Sequence, residues 1–147
     1  MQGVATPTVQ FAKFPEALIG PHDALTLPPE SDAVDWEAEL VVIVGRSVRR
    51  ADRAEAEAAS AGYTVLNDVT LRDWQHRTRE WLQGRTWEAT TPLGPVLVTP
   101  DELPADAEIS CTIDDKVAQK STISDLLFDA ADLVTCVSTV ITLNPGT

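Results

Sequence analysis

Residues 35–45, which read DWEAELVVIVG, place two glutamates at the start of a continuous apolar run. The run predicts a buried strand over Glu39–Val44. Because side chains alternate along a strand, Glu37 and Glu39 point to the same side, with their Cα atoms roughly 6.5 Å apart. Carboxylates that converge to about 5 Å repel each other by about 3 kcal/mol at an effective dielectric near 20. Water at a solvated strand end would screen this repulsion and a bound divalent cation would reverse it, so this stretch alone leaves both interpretations open.

A third carboxylate favours the interpretation of this stretch as part of a cation site. Asp68 follows a second predicted strand, Tyr63–Leu66, so its side chain can reach a site built by neighbouring strands. Together with Glu37 and Glu39 it offers hard oxygen ligands, which suit Mg²⁺ or Mn²⁺ better than zinc or copper. Three carboxylates also leave about three octahedral positions for water and substrate, as Lewis-acid catalysis requires. An acidic cluster without an ion remains the alternative.

The segment after Asp68 predicts a helix that carries substrate-binding groups. Thr70 is a candidate N-cap, and Asp73 three residues later resembles a capping box. On a 3.6-residue period, Arg72 and Gln75 share the polar face that continues from Asp68. An arginine beside a carboxylate-bound metal can hold a substrate carboxylate in a bidentate grip. The alternative is a solvated helix face on which the arginine pairs with Asp68 or Asp73.

The rest of the chain mixes strands and helices. An alanine-rich stretch at 53–61, between Asp52 and Gly62, predicts a helix, and a second helix is predicted over residues 124–140. The helix that follows the third carboxylate extends to Leu82, because apolar residues recur on one face up to that position. The further strand candidates are Phe11–Leu18, Ala24–Leu27, Pro95–Val98, Glu108–Ile113 and Lys116–Gln119, the last two joined by a turn at Asp114-Asp115. This mixture predicts an α+β fold.

Length and charge narrow the class of protein. The 147 residues, 44% of them apolar, fit a single domain over residues 1–147. The net charge of −12 disfavours binding to nucleic acid or to an anionic membrane surface. The longest uninterrupted aliphatic run is Leu40–Val44, whereas a membrane-spanning helix needs roughly 20 apolar residues.

The expected location is the cytoplasm. The N-terminal sequence MQGVATPTVQFAKF lacks both the basic region and the long apolar region of a secretory signal. Cys111 and Cys136 have neither the spacing of metal ligands nor that of a disulfide framework. We therefore expect ordinary buried thiols in a reducing compartment, with a disulfide between them as a minor alternative.

Five stretches resemble the fumarylacetoacetate hydrolase family, and they occur in the order found in that family. They are FAKFPEALIGP, VDWEAELVVIVGR, GYTVLNDVTLRDWQ, TPLGPVLVT and TLNPG, and the resemblance that they carry extends over about residues 11–146. The resemblance implies a mostly β roll with a few helices, within the α+β class. It also implies a homodimer that binds Mg²⁺ or Mn²⁺, or Ca²⁺ in some members. Several motifs in register are far more specific than a single Glu-x-Glu.

The resemblance also implies roles for individual residues. The family's metal-binding carboxylates match Glu37, Glu39 and Asp68, and its substrate-binding arginine and glutamine match Arg72 and Gln75. Members act on small 2-oxo carboxylates: they hydrolyse C–C bonds in acylpyruvates, decarboxylate oxaloacetate, or isomerise hydroxy-diene dicarboxylates in aromatic catabolism. In each reaction the metal chelates the 2-oxo acid and stabilises an enolate.

This sequence departs from the family pattern at three points. The family's lysine before a Ser/Thr-aromatic pair is replaced by Arg85, which keeps the charge of a candidate catalytic residue but cannot act as a neutral base. The family's Asn-Tyr-x-x-His-x-x-Glu lid and its Thr-Gly-Thr-Pro strand are not found. We therefore expect either a fragment or shortened form of an enzyme, or a non-catalytic module that binds metal or forms a dimer.

Overall fold

The computed structural model describes residues 9–147 and has the predicted α+β composition. Two short 3-10 helices lie at Pro15–Ala17 and Ile123–Asp125. The strands are β1 (Leu18–Ile19), β2 (Val34–Asp35), β3 (Ala38–Val44), β4 (Ser60–Asn67), β5 (Thr70–Leu71), β6 (Thr91–Pro92), β7 (Glu108–Ile113) and β8 (Lys116–Thr122). The helices are α1 (Arg53–Ala59), α2 (Arg72–Gln75), α3 (Leu82–Arg85) and α4 (Ala130–Val140). No helix within residues 9–147 has the length and apolar content needed to cross a bilayer.

The antiparallel pair β3–β4 forms the centre of the fold. Its register sets Ala38 opposite Asn67, so the start of β3 lies beside the end of β4. The strand predicted over Glu39–Val44 is confirmed, and β4 extends the predicted strand Tyr63–Leu66 at both ends. Because Asp68 directly follows β4, this register carries it to the glutamates at the start of β3.

Apolar side chains fill the space between β3, α1 and α4. Each of these helices begins with a reciprocal capping box, at Asp52 in α1 and at Asp129 in α4, which satisfies N–H groups that the first helical turn leaves free. The buried residues of this cluster are Val44, Ala51, Ala56, Ala131, Val134 and Leu143. We call this cluster the apolar core.

A second buried region contains mostly polar side chains. Short strand pairs border it, since β1 pairs with β6 in parallel and β2 pairs with β5 in antiparallel orientation. The buried polar residues of this region are Asp68, Thr70, Gln75, Arg85, Thr90 and Thr91. We call this set the polar interior.

The β7–β8 hairpin lies largely on the surface, and its prediction is confirmed. Its turn residues Asp114 and Asp115 have φ angles of 49° and 60°. Positive φ at both central residues gives a two-residue turn whose twist matches that of the flanking strands. Gln119, in β8, is half-buried, while both of its neighbours in the chain are exposed.

Three of the predicted strands are wrong. Phe11–Leu18 is irregular apart from a 3-10 turn and its last residue, and Ala24–Leu27 forms no ladder. Pro95–Val98 contributes one isolated bridge. A proline lies within or directly after each segment, and proline has no N–H to donate to a ladder. Apolar composition alone therefore overestimated the number of strands.

The helix predicted from Thr70 to Leu82 is also wrong in extent. Thr70 lies in β5 and forms no cap, and α2 ends at Gln75. Trp81, at φ 59°, precedes the separate helix α3. A left-handed residue cannot continue a right-handed helix, so the apolar period across 71–82 did not correspond to one helix.

The other two helices are confirmed with shorter bounds. The stretch 53–61 is helical only to Ala59, where the chain turns into β4. Gly62 lies inside that strand instead of ending the helix, and a glycine is needed there because a Cβ would meet the Val98 carbonyl oxygen at 2.5 Å. The helix predicted over 124–140 begins at Ala130, after its capping aspartate.

Both cysteines are free, and the prediction that they are buried is wrong. Cys111 is half-buried on the exposed hairpin, and Cys136 is exposed on α4. The face of α4 that packs inward carries Ala131, Val134 and Ser138 instead.

Candidate metal centre

The three predicted carboxylates converge at the end of the β3–β4 pair. One oxygen from each of Glu37, Glu39 and Asp68 lies within 4.8 Å of the others. The Asp68 amide donates to the Glu37 carbonyl at 2.8 Å, and the Glu37 amide donates to Asn67 Oδ1 at 3.1 Å. Asp68 is 1% exposed, and both glutamates are half-buried. The predicted convergence is confirmed, while metal binding by these residues stays a prediction.

The donor set fits a hard divalent cation. Such ions bind oxygen at about 2.0–2.6 Å, so oxygens on opposite sides of one ion lie up to about 5.2 Å apart. The observed limit of 4.8 Å falls within that range. Burial raises the pKa of Glu39 to about 7, with further contributions from the charges of Asp68 and Glu37 and from a hydrogen bond with Glu37. A cation at this point would offset the repulsion among the three groups.

Arg85, the predicted catalytic residue, lies within the carboxylate cluster. Its Nη1 donates to Glu37 Oε2 at 2.6 Å and also to Asp68 Oδ2. Its side chain is 5% exposed, and its guanidinium carbon lies 4.5 Å from the ring centroid of Phe11. Close packing of α3 on α2 places it there, since a Cβ at Gly84 would meet the α2 backbone at 2.5 Å. Arg85 therefore bridges two of the three carboxylates.

Arg72 and Gln75, the predicted substrate-binding pair, lie beside the cluster and contact each other. Arg72 Nη2 is 2.6 Å from Glu37 Oε1 and 2.7 Å from Asp35 Oδ2. Arg72 Nη1 donates to Gln75 Oε1 at 3.0 Å, and Gln75 is 3% exposed. The carboxylate partners of Arg72 thus come from the segment that leads into β3, rather than from the aspartates of its own segment as the alternative assumed.

Lys13 is a site residue that the reasoning from sequence missed. Its Nζ lies 2.5 Å from Asp68 Oδ1 and donates to Thr91 Oγ1 at 2.8 Å. Its side chain is 14% exposed. Lys13 belongs to FAKFPEALIGP, one of the stretches that carry the family resemblance, and that place in the motif was the available signal. A strand prediction for the same stretch gave no reason to place its amine at Asp68.

Three basic side chains contact the carboxylates at the point where these converge. Arg72, Arg85 and Lys13 each contact at least one carboxylate of the cluster. Both a cation and the carboxylate of a small acid therefore find groups of opposite charge within the same few ångströms. This combination suits small anionic molecules that chelate metals.

The family model for the Fumarylacetoacetate (FAA) hydrolase C-terminal region matches residues 2–147. The chain belongs to the fumarylacetoacetate hydrolase family, as the sequence motifs imply. It is 40% identical over 150 residues to the mitochondrial oxaloacetate tautomerase Fahd2a of Rattus norvegicus, a match that covers 99% of this chain and 48% of that protein. The tautomerase FAHD2A of Bos taurus is 41% identical over 151 residues. The chain spans about half the length of the curated relatives it matches.

Solved structures confirm the fold. The 5-carboxymethyl-2-hydroxymuconate delta-isomerase from Mycobacterium smegmatis superposes with a TM-score of 0.91 at 39% identity, over 99% of this chain and 58% of its own. The fumarylpyruvate hydrolase from Pseudomonas aeruginosa, solved in complex with Mn²⁺ and pyruvate, gives a TM-score of 0.82 at 31% identity, over 92% of this chain and 62% of its own. The family and its α+β fold therefore agree with the prediction.

Proposed function

We propose that this chain forms the metal-binding part of a divalent-metal-dependent enzyme that acts on small 2-oxo acids. The convergence of Glu37, Glu39 and Asp68 within 4.8 Å carries the proposal. These carboxylates would hold Mg²⁺ or Mn²⁺, or alternatively Ca²⁺. When bound, the ion would act as a Lewis acid on the 2-oxo group. Relatives named for oxaloacetate and fumarylpyruvate, and the solved complex with Mn²⁺ and pyruvate, support this choice of substrate and metal.

Arg72 and Gln75 would bind the carboxylate of the substrate. The guanidinium of Arg72 lies between Asp35 and Glu37, and the buried amide of Gln75 fixes its orientation. These contacts use most of the N–H donors of Arg72, so a substrate carboxylate would take the place of Asp35 or Glu37 on the guanidinium, whose planar donors match its geometry. The pair would therefore set the direction from which the substrate enters the site.

Arg85 would stabilise negative charge. It is buried between Glu37 and Asp68, and its Nε is a buried donor without a hydrogen-bond partner among residues 9–147. A substrate oxygen would reach that donor once the side chains that cover Arg85 shift on binding. Since arginine keeps its proton, Arg85 would act through its fixed charge rather than as a base.

Three reactions remain open for this site. They are C–C bond hydrolysis in acylpyruvates, decarboxylation of oxaloacetate, and isomerisation of hydroxy-diene dicarboxylates in aromatic catabolism. All three develop negative charge on the oxygen of the 2-oxo group, which the basic side chains of the site would stabilise. A homodimer and a cytoplasmic location belong to the same proposal, to be tested by light scattering and by cell fractionation.

A second candidate is a non-catalytic module that binds metal or forms a dimer. Arg85 favours it, because it stands where the family has a lysine and, unlike lysine, cannot act as a neutral base. Under this alternative the carboxylates would still bind an ion, but no 2-oxo acid would be turned over.

Calorimetric titration with Mn²⁺, followed by turnover assays with oxaloacetate and an acylpyruvate, tests both candidates. We expect Mn²⁺ binding that is lost in Glu37→Gln and retained in Glu57→Gln, because Glu57 lies on the exposed side of α1. Binding that survives Glu37→Gln would contradict the metal assignment. Tight binding without turnover of either substrate would favour the non-catalytic module.

A further inference from the structure

One side chain from a distant part of the sequence holds both peptide groups that join Glu37 to Glu39. The Ala38 amide donates to Gln119 Oε1 at 2.9 Å, and Gln119 Nε2 donates to the Ala38 carbonyl at 3.0 Å. The Ala38 N–H belongs to the peptide group that follows Glu37, and the Ala38 carbonyl belongs to the peptide group that precedes Glu39. A single primary amide therefore binds the whole link between the two glutamates.

Gln119 replaces a neighbouring strand at this position. A primary amide offers an N–H donor and a carbonyl acceptor, the same two groups that a strand backbone would present to Ala38. The adjacent residues Ala118 and Lys120 are exposed, whereas Gln119 turns inward and is half-buried. The surface hairpin β7–β8 is thereby tied to the start of β3.

We propose that Gln119 is a positioning residue of the metal centre. By holding the Ala38 peptide groups, it keeps the carboxylates of Glu37 and Glu39 directed at one point. This inference rests on the proposed function, because it concerns the same three ligands. Partners that orient metal ligands from outside the coordination sphere change metal affinity by about 10–100-fold when they are removed.

Neighbouring positions show why Ala38 needs such a partner. At the other end of β3, Val44 exchanges backbone hydrogen bonds with Gly146 and Thr147, and Glu37 is held by Asn67 and the Asp68 amide. At Ala38, the backbone groups on the outer edge of β3 form their hydrogen bonds with the side chain of Gln119. Without this amide, β4 and the Asp68 amide would hold the link between Glu37 and Glu39 from one side only, so the two carboxylates would be less firmly directed at one point.

The surroundings of Gln119 make a positioning role distinguishable from a purely structural role by experiment. Ala38 and Gln119 both line a cavity of about 340 Å³ that opens to solvent. Water can therefore replace the lost amide in a variant, so the fold should survive while the peptide groups gain freedom. Affinity for the ion should fall more than stability does.

The test compares Gln119→Leu with Lys120→Leu. The control removes the ion pair between Lys120 and Glu108, at 2.7 Å on the same hairpin, without touching Ala38. The first measurement is hydrogen exchange of the Ala38 amide in metal-free protein, which does not depend on activity. The second is the Kd for Mn²⁺ by calorimetry. If Gln119→Leu fails to fold, Gln119→Asn, whose shorter amide cannot reach both groups, takes its place.

We expect faster exchange of the Ala38 amide and a rise of about 10–100-fold in the Mn²⁺ Kd for Gln119→Leu, with neither change in Lys120→Leu. An unchanged Kd in Gln119→Leu, while the unsubstituted protein binds Mn²⁺, would overturn the role of Gln119 and leave the proposed function standing. Absence of Mn²⁺ binding by the unsubstituted protein would overturn both.

Discussion

The apolar core and the polar interior are equally well buried, but different forces hold them. Ala56 and Val134 are 0% and 3% exposed and pack against other hydrocarbon groups. Asp68 and Arg85 are 1% and 5% exposed, yet each contacts a group of opposite charge. A buried hydrocarbon side chain can be replaced by another of similar volume at little cost in stability. A buried charged side chain cannot be replaced in this way, because its removal leaves the charge of its partner uncompensated.

Strand β3 connects the two regions and explains how one supports the other. Val44, at the end of β3, belongs to the apolar core, while Glu39 near the start faces the polar interior. Packing at one end therefore fixes the strand that presents carboxylates at the other. The comparison predicts that substitutions in the apolar core change stability alone, and that substitutions in the polar interior change stability and metal binding together.

The largest effect is expected from Arg85→Met. Removing this cation takes away the group that bridges Asp68 and Glu37. Lys13 and Arg72 still contact them, so the loss should lie near the lower end of the range of about 3–5 kcal/mol that breaking a buried ion pair costs. We expect that decrease in the free energy of unfolding, measured by urea denaturation without metal. Because a divalent cation would restore positive charge at the same point, Mn²⁺ should recover more stability in this variant than in the unsubstituted protein.

The matched control is Arg53→Met. Arg53 also contacts several carboxylates, namely Glu57, Asp129 and Asp132, but its side chain is 56% exposed. Water screens such pairs, so little change in stability is expected. Equal decreases in the free energy of unfolding for Arg85→Met and Arg53→Met would show that the buried ion pairs contribute no more to stability than the exposed ones.

Leu143→Ala should act on stability alone. Leu143 is 6% exposed in the apolar core, and truncating a buried leucine to alanine typically costs about 2–5 kcal/mol. We expect a decrease near the lower end of that range, because a neighbouring groove lets the site relax. The Kd for Mn²⁺, measured by calorimetry, should not change. A weaker affinity in this variant would mean that the two regions are not separable.

A smaller effect should follow from pH, through Glu39. The pKa of this carboxyl is raised from 4.5 to about 7, chiefly by burial and then by the charges of Asp68 and Glu37. The folded protein therefore keeps a proton that the unfolded chain has lost, so metal-free stability falls as pH rises through that window. Metal binding requires the deprotonated carboxylate. The increase in Tm caused by Mn²⁺ should thus be larger at about pH 7.5 than at about pH 5.5.

Glu39→Gln provides the control for this dependence. An amide cannot titrate, so the decline of metal-free stability across the same pH range should flatten. A slope identical to that of the unsubstituted protein would assign the dependence to another group. The apolar core offers no such dependence, because its residues do not titrate.

The structural elements that could be predicted from the sequence are those indicated by their own residues or by residues directly beside them. The run 39–44 has the composition of a buried strand, and the alanine-rich stretch after Asp52 carries its own cap. The carboxylates at 37, 39 and 68 were found because alternation along a strand and the end of the next strand each limit where a side chain can point. The mixture of predicted strands and helices indicated the α+β class, and the ordered motifs then indicated the family.

The rest depended on contacts between distant segments. Nothing local places Lys13 against Asp68 or turns Gln119 toward Ala38, because these contacts join residues far apart in the chain. The break after Gln75 has no local signal either: the apolar period continues to Leu82, but α2 ends at Gln75 and Trp81 adopts a left-handed conformation. Polar networks of this kind are specified by complementary charge, which has no sequence period.

The smallest effect is expected from Asp52→Ala at the start of α1. The Asp52 side chain accepts a hydrogen bond from the Glu55 amide at 2.8 Å, and loss of an N-cap costs about 1 kcal/mol. Asp52→Asn keeps an acceptor at this position and should restore most of the stability measured by urea denaturation. Because α1 packs on α4 and within the apolar core, which includes Val44 of β3 but not Glu39, the Mn²⁺ affinity of both variants should equal that of the unsubstituted protein. If the Mn²⁺ affinity fell in Asp52→Ala and recovered in Asp52→Asn, then β3 would transmit even small changes from the apolar core to the carboxylates. The two regions would then not be independent.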